Sequence, residues 1–289
     1  MPARSRVLAP TSNLTVGSAA HDPRLYQIAV LGGLLIFGVT ALDIDLDAVR
    51  AAVTLAVVLL TQAAWTRIVG LARFDPRSAL ISGLSLCLLL RTPSPWIAAA
   101  AATIAISSKF VLRARGRHVF NPANFGLLAA VVLFDAAWIS PGQWGSTALW
   151  LGFAAAAGGL VVRRARRSDV TLAFLTCWIA VQFGRAAWLG DPLVIPLRRL
   201  ESGALLIFAF FMISDPKTTP ATRVGRLIFA ALVATVAAWI EFGLFKPNGP
   251  IWALVLCAPA VPLIDLLLER RAPAAIGQPS SSQLIPETS

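Results

Sequence analysis

The chain has 289 residues, of which 57% are hydrophobic and only 13% charged, and its mean hydropathy is +0.74. Soluble domains carry about 25% charged residues, so this composition excludes a soluble globular protein of this length. The net charge of +11 comes from lysines and arginines that cluster between apolar stretches, which is typical of the cytoplasmic loops of membrane proteins and argues against nucleic-acid binding.

Ten apolar segments are predicted in chain order, each a candidate for a helix that spans or enters the bilayer. They cover residues 26–42, 51–69, 79–91, 95–112, 124–139, 147–162, 170–189, 201–214, 224–243 and 250–268. Segments 79–91 and 201–214 are short and precede a proline, which predicts broken or half-length helices. The sequence therefore predicts an all-α integral membrane protein, with a membrane domain over 26–271 between polar tails at 1–25 and 272–289.

Basic residues predict the orientation of this domain. When the loops are assigned alternately to the two sides, 19 of the 25 lysines and arginines lie on the side of the N-terminus. Cytoplasmic loops carry an excess of lysine and arginine, so both termini are predicted to be cytoplasmic.

The two halves of the chain share a pattern of short motifs. Ser82-Gly83 is matched by Ser202-Gly203, and Phe120-Asn121-Pro122 is matched by Phe245-Lys246-Pro247. Five segments in each half would invert the second half relative to the first, which predicts repeats over about 26–140 and about 147–271 with a ligand site between them. Chance similarity of glycine and proline positions is the alternative.

One polar stretch, residues 116–126, precedes the fifth apolar segment. Asn121 before Pro122 predicts a capped helix start, where free N–H groups and the amides of Asn121 and Asn124 can bind an acceptor-rich ligand. Phe120 and Phe125 offer flat faces for a ring. The alternative is a capped helix with no ligand.

A second polar stretch, residues 214–226, connects two later segments. Asp215-Pro216 ends one predicted helix, and Thr219-Pro220 begins the next. Hydroxyl and basic groups that could hold a phosphate follow one another here: Lys217, Thr218, Thr219, Thr222, Arg223 and Arg226. An ordinary polar turn with cytoplasmic charges is the alternative.

Together the two stretches resemble a known family. The first is similar to the FNPA-type segment, and the second to the TDP-x-T-x-P-x-T-x-x-G-R segment, of the membrane proteins that include RnfD of the Rnf complex and NqrB of the sodium-pumping NADH:quinone reductase. Residues 261–265 resemble that family's last helix. The resemblance, which covers most of residues 79–271, implies a ten-helix inverted repeat like that of urea transporters. It also implies a location in the bacterial inner membrane and a flavin-carrying role in electron transfer coupled to Na⁺ or H⁺ movement.

The resemblance also implies a cofactor, FMN or riboflavin, with redox partner subunits or a quinone. The residues it assigns to the cofactor are Phe120, Asn121, Asn124, Phe125, Asp215, Lys217, Thr218, Thr219 and Thr222. Family members attach FMN through a threonine in an SGAT-type motif. Residues 145–148 read Gly-Ser-Thr-Ala instead, which favours non-covalent binding over attachment at Thr147 and resembles the stand-alone UnbU-like branch.

Two other functions stay open from the sequence. The same inverted repeat could form a channel or carrier for a small solute, or the protein could be a membrane anchor that docks redox partners through its arginine-rich loops. Four ionisable residues lie near predicted segment ends, where snorkelling and capping account for them: Asp135, Arg185, Glu241 and Asp265. The three cysteines and two histidines are widely spaced, so no metal site is expected.

Overall fold

A computed structural model of the protein describes residues 22–41, 47–141 and 168–269. The helices in these ranges are α1 Pro23–Ala41, α2 Ala48–Ile68, α3 Arg77–Leu89, α4 Pro95–Val111, α5 Pro122–Leu133, α6 Ser168–Leu189, α7 Val194–Leu200, α8 Gly203–Ile207, α9 Arg223–Ala238, α10 Gly249–Cys257 and α11 Ala260–Glu269. Two of them continue as single π-helical turns, α8 over Phe208–Met212 and α9 over Trp239–Gly243. The predicted helical fold class is therefore confirmed for the described residues.

Two short strand pairs link the helices. The first joins β1 (Leu90–Arg91) to β4 (Trp138–Ile139), with Leu90 opposite Ile139. The second is the hairpin of β2 (Arg113–Ala114) and β3 (Arg117–His118), whose turn residues Arg115 and Gly116 have φ angles of 51° and 80°. This hairpin turn lies directly between α4 and the polar stretch that begins α5, so it fixes where that stretch lies.

Length and apolar composition make this a multi-pass membrane protein. Three helices, α2, α6 and α9 with its π-helical end, are long and apolar enough to cross a bilayer. Helices α10 and α11 would form a fourth span together, although they are bent by 54° relative to each other. The predicted segment 250–268 is thus two helices, because Pro259 at the break supplies no backbone N–H.

Helix packing in the described part of the chain depends on small residues and a few large rings. A Cβ atom added at Gly126 of α5 would lie 2.6 Å from the Ala105 Cβ of α4, so these two helices touch at their backbones. In the second half, the fully buried rings of Phe174 and Phe208 have centroids 4.8 Å apart. Both contacts belong to the core that holds the polar loops in place.

The predicted repeat stays a prediction, since segment 147–162 lies outside the described residues. The structure changes which residues correspond. Ser82 lies inside α3 whereas Ser202 caps α8, so the two Ser-Gly pairs are not equivalent. The counterpart of Asn121, which caps α5 before Pro122, is Asn248, which precedes α10 with Pro250 in its first turn. Lys246 of the predicted match lies in the loop before it.

Candidate functional site

The start of α5 is organised as the sequence predicts. The Asn121 side-chain oxygen accepts a hydrogen bond from the Asn124 backbone N–H at 3.1 Å, and Pro122 occupies the first turn. The rings of Phe120 and Phe125 have centroids 4.8 Å apart and pack against each other. The cap therefore uses one polar group of Asn121, and the two rings cover part of each other's faces.

The loop between α8 and α9 is held together by its own side chains. The Asp215 carboxylate accepts the Lys217 backbone N–H at 3.0 Å. The Asp215 backbone carbonyl accepts the hydroxyls of Thr218 at 3.4 Å and Thr219 at 3.0 Å. Thr222 caps α9 by accepting the Gly225 N–H at 3.0 Å. The three threonine hydroxyls are thus engaged within the protein.

These two loops, which are about ninety residues apart in sequence, meet in the structure. The Asn121 side-chain amide donates long hydrogen bonds of 3.5 Å to the Met212 carbonyl and to Asp215 Oδ2. His118 Nε2 also lies 3.5 Å from Asp215 Oδ2. Asn124 points elsewhere, donating to the Ile251 carbonyl of α10 at 3.0 Å. The structure therefore brings Asn121 and Asp215 together and leaves Asn124 in a separate contact.

Asp215 is charged at neutral pH. Burial alone raises the pKa of its carboxyl, but the neighbouring His118 side chain, the Lys217 backbone N–H and the Lys217 ammonium together outweigh this, so the pKa lies below the ordinary value of 3.8. The ionised carboxylate accepts the hydrogen bonds that fix the loop.

Sequence reasoning missed a buried ion pair beside these loops. Asp265 of α11 is only 2% exposed, and its carboxylate accepts Arg117 Nη2 at 2.6 Å and the Ala221 N–H at 2.8 Å. Arg117 Nη1 also donates to the Thr219 carbonyl at 3.5 Å. The interpretation of Asp265 as a helix-end residue is therefore wrong, because its side chain joins three elements below the surface. An acid inside an apolar helix was the available signal.

Arg226, expected as a phosphate ligand, is occupied by protein groups. Its Nε lies 2.8 Å from both carboxylate oxygens of Asp169, at the start of α6. Its Nη1 donates to the Ala221 carbonyl at 2.7 Å. Arg226 therefore connects α6, α9 and the loop.

A small cavity of about 140 Å³ lies where the loops meet. Residues from both halves line it, including Ser82, Ser85, His118, Asn121, Asp215 and Lys217. Nε2 of His118 is buried and makes no hydrogen bond to the described residues.

A larger cavity of about 680 Å³ lies among helices α6 to α10. Its lining includes Trp178, Gln182, Arg199, Phe208, Glu241 and Lys246. Phe208 and Glu241 both lie in π-helical turns, which are frequent at functional sites. Glu241 accepts the Gly249 N–H at 3.1 Å and lies 3.6 Å from Arg199.

Gln182 gives this larger cavity an unsatisfied polar group. The residue is 3% exposed, and its Nε2 has no hydrogen-bond partner among the described residues. A buried amide donor is costly unless it meets an acceptor, so the cavity suits a ligand that carries one. No group of three or more possible metal ligands occurs in the described part of the chain.

Comparison with known proteins identifies the family. Residues 138–273 match the profile described as the NQR2, RnfD, RnfE family. By these residues, the chain belongs to the NQR2, RnfD and RnfE family. The matched stretch contains the α8–α9 loop and the lining of the larger cavity, and it excludes the Asn121 stretch.

Curated relatives are named as the RnfD component of an ion-translocating oxidoreductase complex. The protein from Cronobacter sakazakii is 36% identical over 157 residues, which are 52% of this chain and 41% of that protein. The protein from Escherichia coli K12 is 40% identical over 123 residues, which are 40% of this chain and 34% of that protein. The chain thus spans between a third and two fifths of the length of these RnfD relatives.

Proposed function

We propose that the protein is a flavin-binding electron-transfer component of an ion-translocating membrane oxidoreductase complex. The observation that carries this proposal is the RnfD-family match over residues 138–273, together with the name of the relatives. The partners would be redox subunits of such a complex or a quinone, in the lipid bilayer of the bacterial inner membrane. Translocation of Na⁺ or H⁺ belongs to the proposal as well.

Size favours the larger cavity as the place for the flavin. Pockets for ligands of this size have volumes of about 300–1,000 Å³. The cavity of about 680 Å³ lies in this range, and the cavity of about 140 Å³ between the loops does not. The nine residues that the sequence assigns to the cofactor surround the smaller space or cap helices, and their role in cofactor binding stays a prediction.

The lining of the larger cavity suits a flavin chemically. Trp178 and Phe208 provide aromatic surface for a ring system, and Gln182 provides a buried N–H donor for a ring carbonyl. Arg199 and Lys246 provide cations for a phosphate. A bound flavin would supply one-electron and two-electron transfer, while these residues would bind it, orient it and exclude water. Thr147, the alternative attachment point, lies outside the described residues.

An absorption spectrum of the full chain purified in detergent tests the proposal. We expect the near-ultraviolet and blue absorption bands of a flavin, and we expect acid precipitation to release the chromophore because it is held without a covalent bond. A colourless protein that takes up neither FMN nor riboflavin would refute flavin binding, and solute flux through proteoliposomes without a redox partner would then favour a carrier.

Paired variants locate the flavin. If it occupies the larger cavity, Gln182→Leu and Arg199→Met reduce flavin content and Lys217→Met does not. If it occupies the loop site predicted from the sequence, Lys217→Met and Asn121→Ala reduce it and the first pair does not. Equal protein yield and helicity by circular dichroism provide the folding control.

A further inference from the structure

The cavity between the two loops has the size of a small ion. Its volume of about 140 Å³ corresponds to about four or five water molecules. Ser82, Ser85, Asn121 and His118 make much of its lining polar, with Asp215 and Lys217 at the loop. Such a space accepts a single phosphate-sized group and is too small for a flavin ring.

The charges around this cavity are positive on balance. Arg24 and Lys217 line it together with one carboxylate, Asp215. Arg24 forms an ion pair with Asp75, which does not line the cavity. The Lys109 ammonium is close enough to interact electrostatically with both Lys217 and Asp215. Three cations therefore face two carboxylates, and the remaining charge favours an anion.

Two nitrogen donors at the cavity lack good acceptors. His118 is 8% exposed, and its Nε2 makes no hydrogen bond to the described residues although Asp215 Oδ2 lies 3.5 Å away. The Asn121 amide makes only contacts of 3.5 Å, at the long limit for a hydrogen bond. A buried imidazole that carries its proton on Nε2 needs an acceptor, and so does this amide.

We propose that this cavity binds one small oxyanion with the chemistry of a phosphate group. The Lys217 ammonium, Nε2–H of His118 and the Asn121 amide would hold its oxygens. Asp215 opposes the anion through its charge but positions Lys217, because its carboxylate binds the Lys217 backbone N–H. The site does not depend on the flavin proposal, since it lies in a different cavity.

Thermal unfolding of the full chain in detergent tests this site with inorganic phosphate as the probe. Phosphate should raise the unfolding midpoint more than sodium chloride at equal ionic strength, because a ligand that binds only the folded state stabilises it. Lys217→Met should weaken phosphate binding at least about tenfold, as expected when a charge-assisted contact is lost. His118→Ala should also weaken it.

The matched control is Arg223→Met, which removes a positive charge six residues along the chain from a side chain that does not line the cavity. It should respond to phosphate like the wild type. An equal response to phosphate and chloride, or a full phosphate response in Lys217→Met, would overturn the proposal.

The same phosphate titration after reconstitution distinguishes free phosphate from a lipid headgroup. Binding that persists in phosphatidylcholine nanodiscs identifies free phosphate. Competition by added phosphatidic acid identifies the headgroup as a second source of the same chemistry. Flavin absorbance of each sample, recorded alongside, separates a failure of this site from a failure of the flavin proposal.

Discussion

The side-chain amide of Asn124 donates a 3.0 Å hydrogen bond to the backbone carbonyl of Ile251. Asn124 is the third residue of α5 and Ile251 is the third residue of α10, so the two helices touch at their N-terminal ends. Each of these ends has an early proline and carries the positive end of a helix dipole. The contact also joins the first half of the chain to the second.

Replacing Asn124 should weaken this contact between the halves. Asn124→Ala removes the amide donor from a side chain that is 1% exposed, and we expect the free energy of unfolding to fall by about 1–3 kcal/mol. Asn124→Asp should cost more, because it also buries a charge. Unfolding in detergent micelles with increasing sodium dodecyl sulfate measures both changes. Thr103→Ala, which removes an exposed hydroxyl from α4, is the control and should have little effect.

Local signals explain which parts of this region were predictable. Asn121-Pro122 and Thr222 are helix-start residues whose caps depend on neighbours within three positions, and both caps are present in the structure. The contact between Arg117 and Asp265 joins residues 148 positions apart, so no local pattern could reveal it. The sequence also could not show that the hydroxyls of Thr218 and Thr219 bind the Asp215 carbonyl, because only the folded turn brings that carbonyl within reach.

The larger cavity was missed for a related reason. Its lining comes from several helices and loops, and each contributes only one or a few residues. Gln182, a lone amide inside the apolar helix α6, was the one sequence signal that pointed to it. Arg185 and Glu241 were noticed as ionisable residues, but their proximity to the cavity depends on the packing of α7 and α9.

The Arg117–Asp265 pair should contribute strongly to stability. Asp265→Ala leaves the Arg117 guanidinium and the Ala221 N–H without their partner in a buried setting, and we expect a loss of about 3–5 kcal/mol in the free energy of unfolding. The exposed pair Arg115–Glu269 provides a matched control on the same two elements. Glu269→Ala should cost at most about 1 kcal/mol. Equal losses in the two variants would show that burial does not distinguish the pairs.

Asp215 should make stability depend on acid pH. Its pKa in the folded protein lies below 3.8, since the interactions with His118 and Lys217 outweigh its burial. A lowered folded-state pKa stabilises the protein above the unfolded value and loses this effect as the pH falls through the folded value. The wild type should therefore exceed Asp215→Asn in melting temperature at pH 6, and the difference should shrink between pH 4 and pH 2. Other carboxylates titrate in both proteins and cancel. A constant difference across this range would contradict the expectation.

Two glycine substitutions should change stability in opposite directions. At Gly126 of α5, a new Cβ would lie 2.6 Å from the Ala105 Cβ and 2.8 Å from the Ala101 carbonyl oxygen of α4. Neither neighbour can rotate away, so Gly126→Ala must separate the two helices, at a cost of about 1–3 kcal/mol. At Gly184 of α6, a new Cβ meets no atom within 4 Å. Gly184→Ala should therefore stabilise the helix by about 0.5–1 kcal/mol, because alanine loses less backbone entropy than glycine on folding. Unfolding midpoints of the two variants, measured in the same detergent, check the pair. Because α5 also carries Asn121 and Asn124, separating it from α4 should weaken the contacts of both residues as well, and a stabilised Gly126→Ala would mean that the two helices do not touch at their backbones.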